Sequence, residues 1–263
     1  MTTEEYRKQW LRWHRIYERK AYYILRKAVL KSLSNINTEI LTPQNYELSI
    51  RIALNNKEIE KAYIELYTEI GRQHGKRIVK GIELSKKNIF GDVFRDNVIR
   101  YLLQFAGQRI VSVNDTLTDY ILDEITKGRA NNDSISQIVT NIIKRRSFYR
   151  FQLLRIARTE TTAAAGYAAN EAESESGIVL EKVWVAAQDS RTRRMPVDKY
   201  DHYNMHLKRV PDGEPFEVPS RNGIELLQFP GDPKGSAGNI IQCRCSMIKV
   251  VKRDSNGNIV TRG

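Results

Sequence analysis

The sequence predicts an α+β protein: a mostly α-helical N-terminal region followed by a small β-rich C-terminal unit packed on an Ala-rich helix. Three observations carry this. Apolar residues recur at three- and four-residue spacing through most of the chain up to about residue 176. Beyond Gly177, Val179, Glu181, Val183 and Val185 alternate with Leu180, Lys182, Trp184 and Ala186, which is the period of a strand. Between the two regions, Ala157, Ala163, Ala164, Ala165, Ala168, Ala169 and Ala172 give a helix a small-residue face that neighbours can approach closely. The division is expected to fall into a helical region, 1–130, and an α+β domain, 131–263.

Residues 3–34 read as one amphipathic helix with Trp10, Trp13, Ile16, Tyr17, Ile24, Leu25, Ala28 and Val29 on its apolar face. Its other faces carry Arg7, Lys8, Arg12, Arg15, Arg19, Lys20, Arg26, Lys27 and Lys31, interleaved with aromatics. Such a helix suits a nucleic-acid or acidic protein surface; a packed aromatic stripe with a solvated basic face accounts for the same pattern. Thr42-Pro43 predicts a helix start, and Asn55 with Glu58 a capping box opening a helix over 57–85. Gly71, Gly75 and Gly81 inside that helix predict kinks or a close crossing. Helices are then expected over 92–110 and 113–127, the second closed by Gly128. Asp133 or Ser134 caps the next, and Ser147 the Ala-rich one. Ser220-Arg221-Asn222-Gly223 reads as a hairpin turn and Asp254 to Asn258 as another.

The net charge of +12 points to a polyanionic partner or an acidic protein surface. No window reaches the roughly 18 apolar residues of a membrane span, and the first residues lack the apolar core of a signal peptide. The two cysteines, Cys243 and Cys245, form no disulfide framework, so synthesis in a reducing cytoplasm is expected.

Four short motifs follow one another in the last hundred or so residues: Ile156-Ala157-Arg158-Thr159-Glu160; Lys182-x-Trp184 leading to Asp189-Ser190-Arg191-Thr192-Arg193; Pro230-Gly231-Asp232-Pro233; and Cys243-Arg244-Cys245 before an apolar strand. In that order they resemble the phage Mu F-like minor head proteins, the phage head morphogenesis family, over roughly residues 130–253. In that family a His follows the Asp-x-Arg-Thr-Arg motif closely. Here Arg194-Met195-Pro196 stand in its place, so His202 is taken as the equivalent after a short insertion, with His206 as the alternative.

The resemblance implies a structural minor head protein of a tailed bacteriophage, present in the virion in few copies and made in the host cytoplasm. It would sit at the portal vertex or head interior and act in head assembly and DNA packaging or ejection. The implied partners are the portal protein, the major capsid protein and packaged double-stranded DNA, and no enzymatic activity is expected. Arg158, Glu160, Asp189, Arg191, Arg193 and Asp232 are expected to brace the domain, with Glu160 reaching Arg191 or Arg193 and Arg158 reaching Asp189 or a backbone carbonyl.

His202, Cys243 and Cys245 are candidate metal ligands, and the candidate cofactor is a structural zinc with a carboxylate or water completing the set. Two buried thiols packing under the β unit account for the same residues without a metal. The competing functions are a metal-dependent hydrolase acting on nucleic acid or peptidoglycan, for which the sequence has no nucleophile motif or Gly-rich phosphate loop, and a free DNA-binding protein.

Overall fold

Helix α1 (Thr3–Ser34) opens on a capping box in which Thr2 and Glu5 each hold the other's backbone N–H. The computed structural model describes residues 2–35, 42, 45–54, 57–82, 92–144, 146–172 and 178–261. Pro43, Asn55 and the expected helical extension over 173–176 lie outside the described residues. The buried stripe of α1 runs Tyr6, Trp10, His14, Tyr17, Ala21, Leu25, Ala28 and Leu33. Ile16, expected on the apolar face, is exposed instead, because the stripe is centred on Trp10 and His14.

Helix α2 (Tyr46–Leu54) begins later than Thr42 predicts; the Asn45 carbonyl takes its first helical bond, from the Ser49 N–H. Helix α3 (Lys57–Ile82) is continuous through its glycines, and Gly71 lies under the ring of Phe94, so a close crossing is the reason for it. Helix α4 (Asp92–Ala130) corrects the expectation of two helices: nothing in Val111-Ser112 costs enough to break it. Gly128 lies inside α4, where an added Cβ would fall 2.5 Å from Ile138 of the next helix. Ser134 and Gln137 form the box that starts α5 (Ile135–Lys144). Helix α6 (Arg146–Glu171) begins one residue before Ser147, which therefore does not cap it.

Strand β1 (Leu180–Val185) is the centre of a three-stranded antiparallel sheet, between β2 (Arg209–Pro211) and β5 (Ser246–Val251). Strands β3 (Phe216–Ser220) and β4 (Gly223–Leu227) pair as the expected hairpin, with Ser220 opposite Gly223. Lys182 and Trp184 share one face of β1, and both are fully buried. Lys182 survives there because its ammonium donates to the Gln228 carbonyl and side-chain oxygen; burial still draws its pKa down to about 8. A short helix, α7 (Ala237–Ile240), precedes the Cys-x-Cys segment. The α+β class therefore holds.

The Ala-rich face of α6 is buried along its length, and α1 and α3 both pack on that helix. The Pro-Gly-Asp-Pro loop sits on it as well. An added Cβ at Gly231 would fall 2.9 Å from the backbone of Ala163, and one at Gly166 would fall 2.5 Å from the Pro230 carbonyl oxygen. From the other side Trp10 donates to the Arg244 carbonyl at 2.8 Å, and Tyr6 shares a hydrogen bond with Ser246 at 2.9 Å. The N-terminal helix thus lies directly behind the Cys-x-Cys strand.

Candidate metal centre

His202, Cys243 and Cys245 are buried together, and their donor atoms lie within 4.8 Å of one another. The His202 Nδ1 is 3.5 Å from the Cys243 sulfur and 3.6 Å from the Cys245 sulfur. Bond lengths of about 2.05 Å to nitrogen and 2.3 Å to sulfur in a tetrahedral site give an N···S edge of about 3.6 Å. The observed spacing fits that edge, so this His/Cys/Cys group can hold a metal ion.

The imidazole is oriented by a relay. Asn239 donates through Nδ2 to the Glu225 carboxylate at 2.8 Å, which leaves its Oδ1 facing the His202 Nε2 at 2.9 Å. Oδ1 only accepts, so Nε2 carries the proton and Nδ1 is turned to the two sulfurs. Once Nδ1 gives up its proton, His202 would present that lone pair to the two sulfurs, the form a metal needs.

The Cys245 N–H donates to the Cys243 sulfur at 3.4 Å. The hydrogen bond from the Cys245 thiol, and then the charge of His202, hold Cys243 well below the ordinary thiol range despite burial. The reciprocal interaction pushes Cys245 up. Burial opposes the imidazolium of His202, but the Cys243 sulfur outweighs it and raises the pKa. His206, the other candidate, is displaced from the centre and accepts the Ala186 N–H through Nδ1 at 3.3 Å.

The segments bearing the ligands are fixed by the other motifs. The Arg193 carbonyl accepts the N–H groups of His202 and Tyr203, while its guanidinium donates to the Ile241 carbonyl at 2.6 Å. Thr159 accepts the Gln242 N–H, and Thr162 donates to the Cys243 carbonyl at 2.5 Å. That single hydroxyl proton is committed to Cys243, so the contact at 3.1 Å between Thr162 and His14 is a donation from the His14 Nε2–H.

Asp189 makes a two-pronged ion pair with Arg244 at 2.5 and 2.6 Å and accepts the Arg191 N–H and the Thr192 hydroxyl. The Arg244 hydrogen bonds draw its pKa to about 2. Asp232 folds its loop by accepting the N–H groups of Gln228 and Lys234.

Several expected partners change. Arg158 pairs with Glu18 of α1 rather than Asp189, and Glu160 accepts from the Tyr67 hydroxyl rather than bracing Arg191 or Arg193. The side chain opposite Asp189 comes from the Cys-Arg-Cys motif itself. Arg191 is exposed. Among the basic residues of α1, Arg7 binds Glu4 and the Ala187 carbonyl, Lys20 binds Glu69, Lys31 binds Glu58, and Lys8 lies 3.8 Å from Glu4. Arg12, Arg15, Arg19 and Lys27 are exposed and Arg26 is half-buried. Glu225, Asn239, Thr162 and Glu18 were not legible as site residues. Each is a common polar residue outside the motifs, and only the fold brings it to the centre.

No family model matches the chain, and no solved structure matches it significantly. The chain is 29% identical over 151 residues to NAD(+)--arginine ADP-ribosyltransferase EFV of Enterococcus faecalis, covering 55% of this chain and 28% of that protein. It is 26% identical over 133 residues to the uncharacterized protein YqbB of Bacillus subtilis, covering 51% of this chain and 42% of that protein. The chain thus spans less than half the length of either curated relative. The expectation that it has no enzymatic role is corrected by the first of them: half of the chain is shared with a protein named for an enzymatic activity.

Proposed function

We propose that the chain is a minor head protein of a tailed bacteriophage, carried in the virion in few copies, whose C-terminal unit is fastened by a structural zinc on His202, Cys243 and Cys245. The observation that carries this reading is the interlocking of four motifs that are separate in sequence. Asp189 of the second holds Arg244 of the fourth, Gly231 of the third rests on the motif helix α6, and Thr159 of the first binds the turn before Cys243. A donor set of two thiols and one oriented imidazole suits zinc, with the fourth position taken by water or by a group outside these three residues. Bound zinc would tie the His202 loop to the Cys-x-Cys segment, replacing the protons those groups otherwise share.

The proposed partners are the portal protein, the major capsid protein and packaged double-stranded DNA. Quantitative mass spectrometry of washed particles tests the assignment: the chain is expected at well below the copy number of the major capsid protein. Its absence from washed particles while the gene is expressed would sink the reading.

The named relative favours a second reading, in which the shared half of the chain contributes to ADP-ribosyl transfer onto arginine. Incubating the full chain with NAD+ labelled in its adenylate and an arginine-rich acceptor tests it. Label on the acceptor above the protein-free control supports the transfer, and label at the control level removes it.

A further inference from the structure

A groove of about 640 Å³ runs between α1 and α6 and ends at the Asp189 loop. Among the described residues, every basic side chain along it apart from the buried His14 is an arginine: seven arginines and no lysine. Its two acids are already committed, Glu18 to Arg158 and Asp189 to Arg244. Those pairs cancel, and Arg15, Arg19, Arg26, Arg150 and Arg191 remain as the uncompensated charge of the groove among the described residues.

Helix α1 carries Lys8, Lys20, Lys27 and Lys31 too, but they lie outside this groove. The selection matters, because a planar guanidinium grips two phosphate oxygens at once whereas an ammonium acts as a point charge. Arg15 to Arg26 spans about 16 Å of helix axis, the length of about five phosphates at the duplex rise and fewer in an extended strand.

Both walls are basic, so a strand seated in the groove meets guanidinium groups on two sides; α1 and α6 pack on each other, and the roughly 8–10 Å axis separation of packed helices suits a single strand better than a duplex. Tyr22 and Tyr23 line the same groove, edge to face with centroids 5.4 Å apart, and Tyr23 is more than half exposed. Open aromatic faces beside arginines are the parts of a base-stacking platform.

We propose that this groove binds the phosphodiester backbone of single-stranded nucleic acid. It adjoins the candidate metal centre at Arg244 but uses none of its ligands, and it stands independently of the head-protein reading.

Fluorescence anisotropy on the full chain tests it, using a labelled 12-nucleotide dT strand and a 12-base-pair duplex, with polyglutamate as competitor. The strand is expected to bind at least about ten-fold more tightly than the duplex, with affinity falling steeply as salt rises. Arg19→Glu with Arg150→Glu is expected to weaken binding more than ten-fold. Lys76→Glu with Lys252→Glu makes the same charge change on exposed positions elsewhere and is expected to alter it less than two-fold. Thermal melts check that both pairs fold. Equal losses from both pairs would mean diffuse charge and overturn the groove, as would tighter duplex binding, displacement by polyglutamate at matched charge, or no strand binding at all. A chain that fails this test yet is found in particles would leave the head-protein proposal standing.

Discussion

At the scale of single residues, Asn239 decides which nitrogen of His202 meets the thiols. Asn239→Leu removes the acceptor for Nε2 while leaving all three ligands in place. Loss of such an outer partner typically costs 10–100-fold in metal affinity, and competition with a zinc-binding dye should show a change of that size.

Two other histidines serve stability. His14 and His74 are fully buried, and burial pulls both down to about 3. Their folded pKa values lie below the unfolded value near 6.5. Between about pH 6.5 and 3 the unfolded chain therefore takes up protons that the folded chain refuses. Stability is full above pH 6.5 and falls as pH drops through this window. Urea midpoints measured from pH 7 to pH 4 should decline, and His14→Gln, which keeps a donor for Thr162, should flatten the decline.

Asp189 acts lower. Arg244 holds it at about 2, so its contribution persists above about pH 4 and disappears from there down to about 2. Asp189→Asn should cost about 2 kcal/mol at neutral pH, the scale of a charged hydrogen-bonded pair in a partly exposed position, read as a shift in the denaturation midpoint at constant slope.

At the scale of elements, local chemistry made some boundaries legible. The Ser134 start of α5, the hairpin at Ser220 to Gly223 and the alternation in β1 all appear where their residues place them. Misreadings arose where a long-range contact decides. Gly128 looks like a helix end, but it is a small residue under Ile138 within one long α4. The short β2 and α7 have no periodicity of their own; β2 exists because β1 offers it an edge.

The candidate metal centre was legible as three residues, since Cys-x-Cys places two sulfurs together. Its orienting shell was not, because Asn239 and Glu225 become neighbours only through the β4 and α7 packing. Gly231→Ala probes the seat of the loop on α6. The position has φ +85°, and a Cβ would press on the Ala163 backbone. A cost of about 2–4 kcal/mol is expected, seen as a thermal midpoint lowered by several degrees.

At the scale of the whole molecule, one buried cluster extends from Tyr6 and Trp10 of α1 through α3 and α6 to Cys243, Cys245 and Met247. The two cysteines of the candidate metal centre therefore share a core with Tyr6, Trp10 and Tyr17, whose rings lie around His74. Trp10 is fully buried and hydrogen-bonded to the Arg244 carbonyl, so Trp10→Ala should cost about 3–5 kcal/mol and loosen the Cys-x-Cys segment along with α1. Bound metal stabilises the folded state by mass action. Chelation is accordingly expected to lower the midpoint of far-ultraviolet and tryptophan signals together, not of one alone.

The most direct measurement is zinc content of the full chain purified under reducing conditions, combined with X-ray absorption at the zinc edge. About one zinc per chain is expected, with two sulfur neighbours near 2.3 Å and a nitrogen near 2.0 Å, lost in Cys243→Ser and Cys245→Ser. A chain that binds no zinc when offered it, or one whose zinc survives both cysteine substitutions, would contradict the assignment.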